Sequence, residues 1–259
     1  MTQPLPPEEP VDETLMPLEA AFAALVLAAL ASWLTAVAAA VLRPWRLFGL
    51  APDLTALWAF VPQWTESVKG LVAWLRDNAA PHGWEREDDE QPDVDLPVFP
   101  SSDSFVAAHL AAVANYLVRI PDEVYNLVFA EIADGHANGE SLEEIAERID
   151  RVLSVTASER WPRRARTIAV TEVVGASNAG WLAAAFQTER ILGTELEKEW
   201  IHSRDASVRR EHRGAGGQRR RLGEPFLVGG VPMMYPGDKS APPELVIACR
   251  CSTATREPR

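Results

Sequence analysis

The chain has 259 residues, 47% of them hydrophobic, enough for the core of one large domain or two small ones. Its only two cysteines, Cys249 and Cys251, exclude a disulfide framework and give no sign of an oxidising compartment. The net charge of −12 is unevenly held: residues 1–159 carry 8 Lys/Arg against 26 Asp/Glu, residues 160–259 carry 17 against 11. That asymmetry points the C-terminal part toward an anionic partner, nucleic acid or an acidic protein face, or toward charge pairing within the molecule.

Residues 1–80 read as an Ala-rich helical region. Within it, residues 20–42 are uncharged and long enough to span a bilayer. The acidic stretch before them (Glu8, Glu9, Asp12, Glu13) argues against a secretory signal. Leu27, Leu30, Leu34, Val37 and Val41 recur at spacings of three and four, the stripe of a helix packed on protein, so no membrane partner is expected. Trp45, Trp58, Trp64 and Trp74, set among prolines, read as anchors between short helices.

Residues 81–104 are acidic and proline-rich and read as a linker or extended arm. Residues 105–192 read as a helical bundle. One helix ends near Ile120-Pro121, and a second begins at Pro121 and stops at Gly135 and Gly139. A third opens on a capping box of Ser141 and Glu144, and a long one covers Pro162–Arg190. From residue 193 the texture changes to short strand-like pieces broken by Gly and Pro: "LEKEWIHSR", "RRRLGEPFLVGGVPMMYP" and "ELVIACRCSTAT". The expected fold class is therefore α+β, helical N-terminal and central regions followed by a small antiparallel β-rich unit over 193–259.

No Gly-x-Ser-x-Gly elbow or His-Glu-x-x-His pair occurs, and "GASNAG" (175–180) lacks phosphate-loop spacing; its small residues suit close helix packing instead. "GAGG" (214–217) reads as a turn or mobile loop. Residues 200–221 hold seven arginines against Asp205 and Glu211. Of these, Arg209, Arg210, Arg213, Arg219, Arg220 and Arg221 are candidates for contact with phosphates or a partner's carboxylates. On a strand, Cys249 and Cys251 would share one face with Arg250 on the other. With His212 they would offer three zinc-type ligands, and His202 or Asp205 a fourth; the alternative is two small core thiols.

The motifs of residues 163–251 fall in a recognisable order. "RARTIAVTE" (164–172, with Arg164, Thr171 and Glu172) is followed by Asn178 and Gly180. Then come Trp200, the series Asp205, Arg209 and His212, "EPF" ending at Phe226, "YPGD" with Pro236 and Asp238, and "CRC". The series resembles the phage Mu F-like minor head protein family, also called the phage head morphogenesis domain. Two positions depart from it: Val170 stands where that family usually shows arginine, Ala248 where asparagine is common.

The resemblance implies a minor head protein of a tailed phage, made in the host cytoplasm and located in the virion, inside the capsid near the portal vertex. The implied partners are the portal protein and other head proteins, and the arginine-rich C-terminal part adds packaged double-stranded DNA as an expected contact. The resemblance implies no cofactor, so the one cofactor expected is the structural zinc read from His212, Cys249 and Cys251; no catalysis is expected, and no effector is expected behind Arg259. The alternative is a metal-dependent nuclease or other effector enzyme built on the His/Asp/Cys cluster.

Overall fold

The structure, a computed structural model, describes residues 13–155, 159–203 and 207–258. Among them are seven long helices, α1 (Met16–Phe48), α2 (Val61–Trp74), α3 (Ala80–Glu90), α4 (Ser104–Leu117), α5 (Ile120–Ala137), α6 (Leu142–Val155) and α7 (Trp161–Leu192). The C-terminal part holds β1 (Glu197–Ile201), a short α8 (Arg210–Ala215), β2 (Arg219–Arg221), β3 (Phe226–Val228), β4 (Val231–Met233), a one-turn α9 (Pro243–Val246) and β5 (Ser252–Arg256). The strands form an antiparallel three-stranded sheet, β2-β1-β5, and a separate β3-β4 hairpin. The expected α+β class is the observed one.

The chain divides into two units. One comprises Ala21–Val72 and Val113–Arg166 in so far as they are described. Its portion of α1 buries Phe22, Val26, Leu30, Trp33, Val37 and Val41, a stripe at spacings of three and four. Trp33 packs on Trp64 at 5.8 Å between ring centroids and donates its indole N–H to the Phe60 carbonyl at 2.8 Å. The Trp64 indole in turn donates to the Leu117 carbonyl at 2.8 Å. Each ring buries a large apolar body while its one donor finds a backbone acceptor.

By length and composition alone, Glu13–Phe48 and Ser104–Ala137 would reach across a bilayer. The α1 stripe is nonetheless inside protein.

The capping box forms as expected. Ser141 N–H and Oγ donate to Glu144 Oε2 at 2.7 and 2.8 Å, and Glu144 N–H returns to Ser141 Oγ. α5, expected to stop at Gly135 and Gly139, runs through the first and ends at Ala137, just before the second. A Cβ at Gly135 would lie 2.6 Å from Ile145 Cγ1, so this glycine serves the close approach of α5 and α6. Arg148 holds the same pair through Glu131 and Glu140 at 3.1 and 3.0 Å.

The other unit takes the described residues up to Ala20, Ala73–Ala112 and those from Thr167 onward. Here the structure differs from the linker expected over 81–104, because Ala80–Glu90 is helical. Charge content concealed a buried face of Gly83, Trp84 and Glu87. The stretch that follows is tied down as well, since the Trp84 indole donates to the Pro97 carbonyl at 3.1 Å and Val94 is buried.

α3 crosses α7 on reciprocal glycines. A Cβ on Gly83 would sit 1.8 Å from the Ser177 carbonyl oxygen, and one on Gly180 2.0 Å from that of Ala80. Backbone meets backbone there, as the small residues of "GASNAG" suggest.

Candidate functional site: a polar hub closed by a histidine and two cysteines

Thr171, Glu172, Gly175 and Asn178 are spaced to share one side of α7, facing the loops and strands of the C-terminal part. Each answers a specific need of the backbone or of a buried charge. Asn178 donates from Nδ2 to the carbonyls of Pro236 and Cys251, both at 3.1 Å. Thr171 Oγ1 donates to the Thr167 carbonyl at 2.6 Å and accepts the Ala248 N–H at 2.9 Å. Glu172, 1% exposed, pairs with Lys239 Nζ at 2.7 Å. Burial raises the Glu172 carboxyl above its ordinary value, with Lys239 opposing.

The tight turn of "YPGD" is locked from within. Asp238 accepts from the N–H groups of Met234 and Ser240 and from Ser240 Oγ, at 2.7, 2.9 and 2.7 Å. Gly237 has φ +88 and lies so close to Gly175 that a Cβ would come 2.8 Å from its Cα. Positive φ and close backbone approach both demand glycine there.

Several partnerships of buried groups escaped the sequence reading. His109 is pushed down to about 3 by burial, with Lys239 adding to it, and its Nδ1 lies 3.3 Å from Tyr235 Oη. Lys198, wholly buried, donates to the Met234 carbonyl at 2.8 Å and is pushed down to about 7 by burial, against Asp238 and Glu224. Glu87 accepts from Thr255 Oγ1 at 2.6 Å and is raised to about 7 by burial. Arg250 grips Glu19 through two nitrogens at 3.0 and 2.9 Å. None of these carries a local sequence signature, because each depends on a partner 36 or more residues away.

The cysteines sit at the C-terminal edge of this hub. The expected strand does not include them: α9 occupies Pro243–Val246, Ala248 takes φ 54, and β5 starts only at Ser252. The sidedness holds without the strand, since Cys249 and Cys251 are 3% and 2% exposed while Arg250 points to Glu19. His212, 2% exposed on α8, brings Nδ1 to 3.4 Å from Cys251 Sγ and 3.5 Å from Cys249 Sγ.

The three ligand atoms lie within 4.8 Å of one another and are the one group of metal-ligand type among the described residues. Cys251 N–H points at Cys249 Sγ at 3.4 Å. The thiol of Cys251 is pulled down by hydrogen bonding from Cys249 and by His212, while that of Cys249 is driven up by the same contact and by burial. His202 stays apart, its Nδ1 on the Ser203 carbonyl at 3.0 Å. Asp205, the other expected fourth ligand, lies outside the described residues.

The arginines do not form one patch. Arg219 pairs with Glu197 at 2.9 Å and Arg221 with Glu195 at 3.1 Å, and Arg220 donates to the Arg219 carbonyl and to Gln218 Oε1. With Arg256 on Glu199 at 2.7 Å, a ladder of opposite charges runs along the sheet. Arg209 donates to the Ile247 carbonyl, and Arg213 to that of Val208. Arg210 and Arg213 are the exposed guanidiniums of α8. Arg164 is in the other unit, paired with Glu123 at 2.5 Å and over the Trp161 ring at 5.2 Å. Trp200 and Phe226 are core, edge-to-face at 5.3 Å between centroids.

These features define a helical protein closed by a small antiparallel sheet, whose most distinctive polar residues tie buried backbone together. Residues 126–254 match the family described as Phage Mu protein F like protein, and the match supports the expected resemblance. The match runs from α5 into β5 and contains all the motif residues from Arg164 to Cys251. No curated protein and no solved structure matches the chain.

Proposed function

We propose that this protein is a minor structural component of a tailed-phage head, made in the host cytoplasm and built into the capsid interior at the portal vertex. There it contacts the portal protein and other head proteins, with packaged DNA alongside. The observation that carries this reading is the family match over residues 126–254. The hub supports it, because its polar residues are consumed in holding the fold together, as suits a building block. The nuclease alternative would need substrate to reach His212, Cys249 and Cys251, whose 2–3% exposure favours a structural role.

Charge pairing along the sheet leaves α8, with Arg210 and Arg213, as the surface best suited to phosphates. The burial of the α1 stripe supports protein rather than lipid neighbours. The test is mass spectrometry of purified virions together with pull-down of the portal ring by the tagged chain. Recovery in both is expected; absence from the virion overturns the reading.

A further inference from the structure

Two thiols and one imidazole converge in the core from segments 37 and 39 residues apart. Cys249 and Cys251 belong to an apolar cluster with Trp200, Phe226, Met233 and Leu245. Core packing explains a buried thiol, but not why both sulfurs aim at the same nitrogen. Nδ1 of His212 is 3.4 Å from one and 3.5 Å from the other, and a neutral imidazole nitrogen has one lone pair to offer. Zn–S of roughly 2.3 Å and Zn–N of roughly 2.0–2.1 Å in a tetrahedron place N and S roughly 3.5 Å apart. The observed spacing is that of a ligand set around a small cation.

We propose that His212 Nδ1, Cys249 Sγ and Cys251 Sγ bind one zinc ion, which ties α8 to the segment leading into β5. One nitrogen and two sulfurs, with no carboxylate among them, form a soft donor set that selects zinc over magnesium or calcium. The thiols lose their protons to solvent as Zn²⁺ binds, so two thiolates balance the charge of the cation in an apolar surround. The surrounding backbone is arranged for this. Cys251 N–H points at Cys249 Sγ, a donor that favours thiolate, and Thr171 Oγ1 fixes the Ala248 N–H at the left-handed residue just before the first cysteine. Water completes the tetrahedron.

The experiment uses the full chain, purified under reducing conditions from zinc-supplemented cells, with metal content read by plasma mass spectrometry. The expected result is one zinc per chain, falling to background in the Cys249→Ser/Cys251→Ser double variant. Should that variant fail to fold, cobalt titration of chelator-stripped wild-type chain gives the second readout. A thiolate-to-cobalt charge-transfer band with tetrahedral visible absorption is expected, the visible bands altered in His212→Ala. A folded wild-type chain with background metal and no cobalt band overturns the site, as does full zinc retention by a folded double variant. Virion incorporation is a separate measurement, so either idea can fail alone.

Discussion

Glu87 makes the stability of this protein depend on pH in a direction opposite to that of an ion-paired carboxylate. Its side chain is wholly buried on α3 with Thr255 as hydrogen-bond donor, and burial raises its pKa from 4.5 to about 7. Between those values the folded state keeps a proton that the unfolded chain releases, so the contribution of Glu87 is fully present below pH 4.5 and is lost as pH rises through about 7. At 1.36 kcal/mol per unit, the loss is about 3 kcal/mol. Glu87→Gln removes it. The amide matches the protonated acid in shape, and its oxygen can still accept from Thr255. The variant should lie within about 1 kcal/mol of wild type near pH 4.5 and be more stable by about 3 kcal/mol at pH 8.

Urea unfolding followed by tryptophan fluorescence at pH 4.5, 6 and 8 measures the gap. His109 and Lys198 titrate alike in both proteins, so their contributions cancel in the difference. A gap that does not change with pH would refute the reasoning.

Gly180→Ala should lower stability by about 3 kcal/mol or more, because the new methyl would lie 2.0 Å from the Ala80 carbonyl oxygen and neither backbone can yield locally. An unchanged melting temperature would mean that α3 and α7 are not in contact at that point. Asn178→Ala strips the donor from the Pro236 and Cys251 carbonyls and should cost about 2–3 kcal/mol in chemical denaturation. Asn178→Asp, which keeps the shape but loses the amide donor, should not restore it. Ala248→Gly relieves a left-handed residue at φ 54 and should stabilise by about 0.5–1 kcal/mol; a destabilised variant would show that the methyl contributes packing instead.

Local rules carried much of the fold. The capping box at Ser141 is a pattern spanning three residues, and the stripe on α1 repeats within each turn, so both are complete inside a short window. The acidic stretch around Glu87 failed for the converse reason. Its composition is that of a solvated segment, and only long-range packing on Ser177 and Thr255 makes it a buried helix. The cysteines illustrate both outcomes: alternation correctly put Cys249 and Cys251 on one side of Arg250, yet apolar residues around them imitated a strand. A left-handed residue at 248 and the tie from Thr171, 77 residues upstream, set the actual path. The arginine run is a related case, for its balancing glutamates lie on the neighbouring strand and the turn before it.

The motif residues share a physical task. Asn178, Thr171 and Asp238 each satisfy backbone groups of irregular segments, which cannot satisfy themselves as a helix or sheet does. Glu172 answers a lysine carried by one of those segments. Such ties are worth little at the surface and much when buried, where an unmet polar group costs its full desolvation. A motif series made of them is a way of folding long loops onto a helix. Under the proposed function, partner recognition falls to exposed groups outside the hub, such as Arg210 and Arg213 on α8.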